Sequence, residues 1–253
     1  MNLLFITIPA SIIPSILLIL YFCRKNHFSQ SPKKIFTIFL LGILITFPIG
    51  LIELPYHLLT RHLKSPLLFG FCQALFSAAL PEETLKMFAL TWYTTRKIKL
   101  KSKMDGIVYG ATVSLGYATL ENYLYVHSGG IYVAIARALT AVPGHALLGV
   151  LMGYFLYIYS IKNRIKYLYF AWFIPVLFHT IYDFPLLFIS KIVSDKILVY
   201  PPDIYSLLFG FFLYVTFFFV FVLRFVKKVS KEKEDDLIDE ILEGVVIPKN
   251  KGI

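Results

Sequence analysis

Long apolar stretches separated by short basic segments are the main pattern along this chain. As helices that rise about 1.5 Å per residue, these stretches are long enough to cross a hydrocarbon core of about 30 Å. They cover roughly residues 3–22, 35–57, 66–93, 104–126, 130–158, 167–189 and 203–225. The pattern therefore predicts an all-α fold, a polytopic bundle of about seven transmembrane helices.

Composition agrees with this interpretation and excludes a water-soluble domain. Of the 253 residues, 58% are hydrophobic and only 16% are charged. The formal net charge of +10 is not the mark of a nucleic-acid partner, because the basic residues form short clusters between apolar runs. Such clusters are typical of loops that face the cytoplasm and anionic lipid. We therefore predict a multi-pass protein of the cell membrane that contacts the lipid bilayer and no nucleic acid.

The distribution of basic residues predicts the orientation. If residues 23–34 are inside, the inner segments contain seventeen lysine and arginine residues and the outer loops contain four. By the positive-inside rule the N-terminus is then outside and the C-terminus is cytoplasmic. We predict a transmembrane domain over residues 1–226 and a charged cytosolic tail over 227–253.

The third span contains the segment "LPEETLKMF", residues 80–88, which places three charges in the middle of an apolar helix. Each charge at the centre of a membrane helix costs about 2.5–3.5 kcal/mol. Glu82 and Lys86 are four residues apart and can form an ion pair, whereas Glu83 points about 100° away and needs another partner. The three residues are either a buried ion-pair latch or part of a functional site.

The next three spans carry further polar residues at a similar depth or nearer the outer face. These residues are Glu121, Asn122, Arg137, His145, His179 and Asp183. Taken singly, each has a structural interpretation: a histidine can be a hydrogen-bonded packing residue, and Arg137 can neutralise Glu121. Together, two glutamates, two histidines and an aspartate exceed what packing requires.

Two chemistries fit this set. Imidazole and carboxylate can bind a divalent metal, for which zinc is the preferred candidate. Alternatively, a glutamate base and a histidine can activate water without a metal, with a second histidine at the developing oxyanion. Both arrangements hydrolyse an amide without a serine or cysteine nucleophile, and the residues leave both open. A proton- or ion-coupled transporter that uses the same cluster is the alternative from another class.

Small residues predict close helix contacts. The fourth span has a ridge of four small residues spaced four apart, and Gly149 and Gly153 continue this spacing in the fifth. The ridge consists of Gly106, Gly110, Ser114 and Ala118. Such ridges let neighbouring membrane helices approach closely.

Four motifs resemble those of the PrsW family of intramembrane proteases, in the same order along the chain. They are "EETLK" at 82–86, "ENYLY" at 121–125, "RALTAVPGHALLGVLMGY" at 137–154 and "HTIYD" at 179–183. The resemblance covers about residues 75–190 and extends distantly to the CaaX-processing and bacteriocin-type membrane proteases. It implies cleavage of a membrane-anchored substrate, such as an anti-sigma factor.

Carried over by position, the resemblance implies catalytic roles for Glu82, Glu83, His145 and His179. The supporting residues are Asp183, Lys86, Glu121, Asn122 and Arg137, and the ligands of a metal would be Glu83, His145, His179 and Asp183. In the CaaX-type relatives the last motif ends in asparagine, which can donate hydrogen bonds. Asp183 cannot donate unless protonated, so we expect it to orient His179 or to bind a metal. Polar residues continue from this set towards the outer face, which predicts that water reaches the site from outside.

Overall fold

The structure, a computed structural model, describes residues 4–27, 29–198 and 201–232, and within these ranges it contains helices and no strand. The helices are α1 (Leu4–Lys25), α2 (Pro32–Leu44), α3 (Thr46–Thr60), α4 (Pro66–Cys72), α5 (Leu80–Arg96), α6 (Lys103–Leu139), α7 (Ala141–Lys162), α8 (Ile165–Ser194) and α9 (Pro201–Val229). A π-helical segment, Gln73–Ala79, joins α4 to α5. The prediction of an all-α fold is confirmed.

Five stretches of the described residues are long and apolar enough to cross a membrane. They are Thr7–Lys25, Pro32–Thr60, Lys103–Lys162, Ile165–Ser194 and Asp203–Val229, and the third of them contains both α6 and α7. The charged third span, predicted over residues 66–93, is divided into α4, the π-helical segment and α5, each shorter than 18 residues. The count of seven spans and the sides of the two termini stay predictions. Most of the predicted cytosolic tail lies outside the described residues.

The fifth predicted span begins later than the sequence pattern indicated. Gly130 has φ 71° and ψ −160°, a conformation that suits glycine, and it breaks α6. A short helical piece follows, and Thr140 is again non-helical before α7 begins at Ala141. Pro143 therefore lies in the first turn of α7, where a missing N–H is tolerated, and does not kink a longer helix. This break lets the short helical piece that contains Arg137 fold back against the part of α6 that precedes Gly130.

The antiparallel pair of α6 and α7 forms the centre of the bundle, and α1 and α2 also pack on α6. At the α6–α7 crossing a Cβ atom on Gly110 would overlap the carbonyl oxygen of Gly149, and one on Gly153 would overlap that of Gly106. The predicted small-residue contact is thus confirmed. Direct backbone contact fixes the depth of α7 relative to α6, and with it the position of His145 at the first turns of α7.

Apolar and polar side chains are distributed as expected of a protein surrounded by lipid. Many large apolar side chains on α1, α2, α3 and α9 are exposed. Several polar residues of the central helices are instead buried, namely Glu82, Glu83, Lys86, Asn122, His145 and His179, while Glu121, Arg137 and Asp183 are half-buried. The polar cluster is therefore enclosed by helices and shielded from lipid.

Candidate active site

The first turns of α5 carry the two carboxylates and the ammonium group that the sequence singles out. Pro81 has no N–H to bond the carbonyl of Ser77, and its ring would crowd that carbonyl in a regular α-helix. The wider π-helical turn that ends at Ala79 relieves this crowding, and such turns recur at functional sites. The local sequence thus sets the start of α5, and with it the direction of Glu82 and Glu83.

Lys86 is bonded to both carboxylates. Its Nζ donates to Glu82 Oε2 at 2.9 Å and to Glu83 Oε1 at 2.8 Å, and the exposed fractions of the three residues are 3% or less. Lys86 Nζ also lies over the ring of Tyr117, 4.1 Å from the ring centroid, which adds a cation–π contact. The predicted ion pair of Glu82 and Lys86 is present, and the missing partner of Glu83 is the same lysine.

Both predicted histidines reach this centre. His145 Nδ1, on α7, is 3.2 Å from Lys86 Nζ, and His179 Nδ1, on α8, is 2.9 Å from Glu83 Oε1. The two imidazole rings meet edge to face, with centroids 5.2 Å apart. Three helices that are distant in sequence, α5, α7 and α8, therefore bring together the residues predicted to be catalytic.

The far nitrogen of each histidine meets a further carboxylate. His145 Nε2 is 3.0 Å from Glu121 Oε2, and His179 Nε2 is 3.2 Å from Asp183 Oδ2. The arrangement is the same twice: Nε2 faces an outer carboxylate and Nδ1 faces the Glu82, Glu83 and Lys86 centre. For His145 the tautomer follows, because an ammonium can only donate to Nδ1 and the proton must then lie on Nε2.

Arg137 holds the outer end of the cluster. Its Nη2 donates to Glu121 Oε2 at 2.5 Å and its Nε donates to Asn122 Oδ1 at 3.0 Å. The guanidinium also lies 4.0 Å from the ring centroid of Tyr125. Arg137 thus bonds the carboxylate that in turn contacts His145, and its supporting role stays a prediction.

The cluster has the donor groups of a metal site. One ligand atom from each of Glu82, Glu83, His145 and His179 can be chosen so that all four lie within 4.8 Å of one another. Two further observations fit a cation here: Glu83 Oε2 is buried and has no hydrogen-bond partner among the described residues, and an ammonium already lies among three of the four groups. Asp183, a predicted ligand, is not in this set, because it faces the opposite nitrogen of His179.

A cavity of about 1040 Å³ borders the cluster. Glu82, Glu121 and Asp183 line it, together with residues of α3 and many apolar residues of α6, α8 and α9. Glu83 does not line it. In the predicted orientation these helix segments lie in the outer half of the membrane. A separate cavity of about 30 Å³, large enough for a single water, lies between His145 and His179.

Two residues that the sequence pattern did not single out, Glu53 and Tyr117, line the large cavity. Glu53, on α3, lines the large cavity and is partly buried. As the one acidic residue of its apolar span it could have been found, because an ionisable group inside a membrane indicates function by default. Tyr117 gave no such signal, since one tyrosine among seventeen has no distinguishing pattern.

Comparisons with known proteins agree with these observations. Residues 30–224 match the family described as PrsW family intramembrane metalloprotease. The chain is 38% identical to Protease PrsW of Geobacillus kaustophilus over 188 residues, which cover 73% of this chain and 81% of that protein. It is 38% identical to Protease PrsW of Bacillus subtilis over 192 residues, covering 74% and 86% of the two chains.

A third relative, Protease PrsW of Halalkalibacterium halodurans, is 36% identical over 191 residues, which cover 74% of this chain and 86% of that protein. No solved structure matches the chain. These findings do not support the interpretation as a transporter.

Proposed function

The chain belongs to the PrsW family of intramembrane metalloproteases, and on this premise we propose that Glu82, Glu83, His145 and His179 form its catalytic site. The protein is a multi-pass bacterial membrane peptidase that acts on membrane-anchored substrates within the lipid bilayer. The observation that carries the site proposal is the repeated geometry of the two histidines. Each turns Nδ1 to the buried centre while an outer carboxylate faces Nε2.

This geometry suits histidines that hold a divalent metal, since such ligands commonly donate their other N–H to a carboxylate. We propose that Glu83, His145 and His179 hold one zinc ion. When bound, zinc would make a water molecule acidic and polarise the substrate carbonyl. In this proposal Asp183 orients His179 and Glu121 orients His145. Asp183 was also predicted as a metal ligand, and here it orients a ligand instead of binding the metal.

Glu82 is the proposed general base. It lines the large cavity, whereas Glu83 does not, so Glu82 is the carboxylate with access to water and substrate. In hydrolysis it would take a proton from the attacking water and deliver it to the leaving amide nitrogen as the C–N bond breaks. Lys86 would keep the two carboxylates charged and fixed in position through its two hydrogen bonds.

The large cavity is the proposed substrate site. Its mixed lining suits a locally unwound membrane segment, because apolar walls can receive side chains while carboxylates and Arg137 admit water. In the predicted orientation this places the cut in the outer leaflet or at the outer membrane boundary. By resemblance to the family, we propose a single-span regulator of the anti-sigma type as substrate.

The test uses the bacterium that encodes this chain. Its gene is deleted and replaced by the wild type, by Glu82→Gln or by the surface control Asp195→Asn, and new N-termini of membrane proteins are mapped by mass spectrometry. We expect the same new termini, near the outer boundary of single-span proteins, in the wild type and the control. They should be absent in Glu82→Gln at equal protein level. Identical termini in all three strains would overturn the assignment of Glu82.

A further inference from the structure

A second large cavity lies at the opposite end of the molecule, where α1, α6 and α9 begin or end on the predicted cytoplasmic side. Its volume is about 640 Å³. Six lysines from four separate segments line it: Lys25, Lys34, Lys99, Lys101, Lys103 and Lys231. The acids in its lining are Asp105 and Glu232.

These two acids are already bonded within the protein. Glu232 pairs with Lys103 at 2.6 Å. Asp105 Oδ1 accepts from Asn26 Nδ2 at 3.0 Å and from Gln30 Nε2 at 2.7 Å, and its Oδ2 accepts from the backbone N–H of Lys101 at 3.1 Å. Among the described residues, the other five lysines have no acidic partner in the cavity, which therefore attracts anions.

An apolar groove starts at the same α1–α2 turn. Its volume is about 360 Å³, and its walls are apolar side chains of α1 and α2. Three of them are strongly exposed: Ile16 by 45%, Leu20 by 51% and Phe36 by 61%. The groove thus presents an apolar channel to the bilayer beside a basic cavity at its cytoplasmic end.

A polar atom without a partner lies at this junction. Gln30 lines the groove, is 8% exposed, and donates to Asp105 through Nε2. Its Oε1 is buried and accepts no hydrogen bond within the described protein. A headgroup that carries a hydroxyl can satisfy this acceptor.

We propose that the basic cavity and the groove together bind one anionic phospholipid, with the phosphate at the lysines and an acyl chain between α1 and α2. The lysines of the basic cavity could bind any phosphate. The adjoining apolar groove favours a phosphate that is attached to a hydrocarbon chain. A glycerol headgroup has hydroxyls that can donate to Gln30 Oε1, whereas choline has no such donor, so the junction favours glycerol over choline. This site is distant in sequence from the proposed catalytic residues, and its occupancy does not depend on the protease assignment.

The test measures lipid retention on the purified full chain in non-ionic detergent. Native mass spectrometry follows the titration with dioleoylphosphatidylglycerol, with dioleoylphosphatidylcholine and, as competitor, with inorganic phosphate. The cavity variant is Lys25→Gln, Lys34→Gln, Lys101→Gln. The matched control, Lys33→Gln, Lys97→Gln, Lys228→Gln, removes the same charge from exposed lysines outside the cavity. A groove variant, Leu20→Trp, fills the apolar channel.

We expect one phosphatidylglycerol per chain, bound at least tenfold more tightly than phosphatidylcholine. The cavity variant should lose this binding at least tenfold, because each lysine near an anionic lipid surface contributes measurably to attraction. The control should change less than threefold, and Leu20→Trp should weaken lipid binding as well. Equal losses in the cavity and control variants would mean diffuse charge attraction and would overturn the proposal. Displacement by millimolar phosphate with no effect of Leu20→Trp would assign the cavity to a free anion and overturn the lipid.

Discussion

Replacement of Lys86 by methionine tests the electrostatic centre of the molecule. Methionine keeps the length and volume of the side chain but removes the ammonium that bonds both Glu82 and Glu83. Loss of one partner from a buried ion pair typically costs about 3–5 kcal/mol, because the other charge stays buried without compensation. At about 2–4 °C per kcal/mol for a chain of this size, the melting temperature should fall by roughly 6–20 °C.

The decisive comparison is the triple variant Glu82→Gln, Glu83→Gln, Lys86→Met. It removes all three charges, so no buried charge is left unpaired, and we expect it to recover most of the loss seen in Lys86→Met. Melting can be followed by tryptophan fluorescence after removal of metal with a chelator. Trp172 is a local reporter, since its Nε1 donates to Thr84 on α5 at 2.8 Å.

The control for this series is Asp195→Asn, which breaks a partly exposed ion pair with Lys191. Such pairs contribute at most about 1 kcal/mol, so its melting temperature should stay within a few degrees of the wild type. Two results would contradict this prediction: Lys86→Met melting like the control, or the triple variant being as unstable as Lys86→Met. Either result would show that the ammonium does not compensate the two carboxylates.

Three further predictions follow from the site and the topology. Glu82→Gln should abolish cleavage yet retain bound zinc, whereas Glu83→Gln should lose both, as measured by elemental analysis of the purified proteins; equal zinc in both variants would contradict the division of roles. Arg137→Gln should lower the yield and the melting temperature but change the cleavage rate per folded molecule only slightly. A large loss of that rate at normal yield and melting temperature would instead indicate a catalytic role. A reporter fused after residue 128 should be extracytoplasmic and one after residue 230 cytoplasmic, and exposure of the second outside the cell would mean an error in the number of spans.

Much of the candidate site was predictable because a charged side chain inside a membrane span is energetically costly and therefore indicates a specific partner or function. In an apolar span, Glu82, Glu83 and Lys86 can only persist with partners, so their presence alone predicted a buried polar centre. The spacing of Glu82 and Lys86 predicted their ion pair, and the contact of Asp183 with His179 agrees with one of the two roles expected for Asp183. The small-residue ridge predicted the close α6–α7 contact through side-chain size, because small residues on one face of a helix allow a neighbouring backbone to approach.

The remaining features depend on tertiary geometry that no local pattern encodes. The contact of His145 with Lys86 arises because α7 starts at Ala141, and that start depends on two non-helical residues, Gly130 and Thr140, which an apolar pattern does not distinguish from a continuing helix. Likewise, only the packed structure shows that Glu82, and not Glu83, lines the cavity. The sequence places Glu82 and Glu83 about 100° apart around the helix but does not indicate which of them faces the cavity.

The charge of the finished cluster favours a metal over a metal-free mechanism. Four carboxylates are in direct contact with the histidines or with Lys86, and they face two cationic side chains, Lys86 and Arg137. With both imidazoles neutral, the formal charge is −2, and an uncompensated charge of this size is costly among buried helices. A doubly charged ion held by Glu83, His145 and His179 would bring the cluster to neutrality, whereas without a metal both imidazoles would have to be protonated to reach the same balance. Charge balance and the paired orientation of the two histidines therefore lead independently to the same centre.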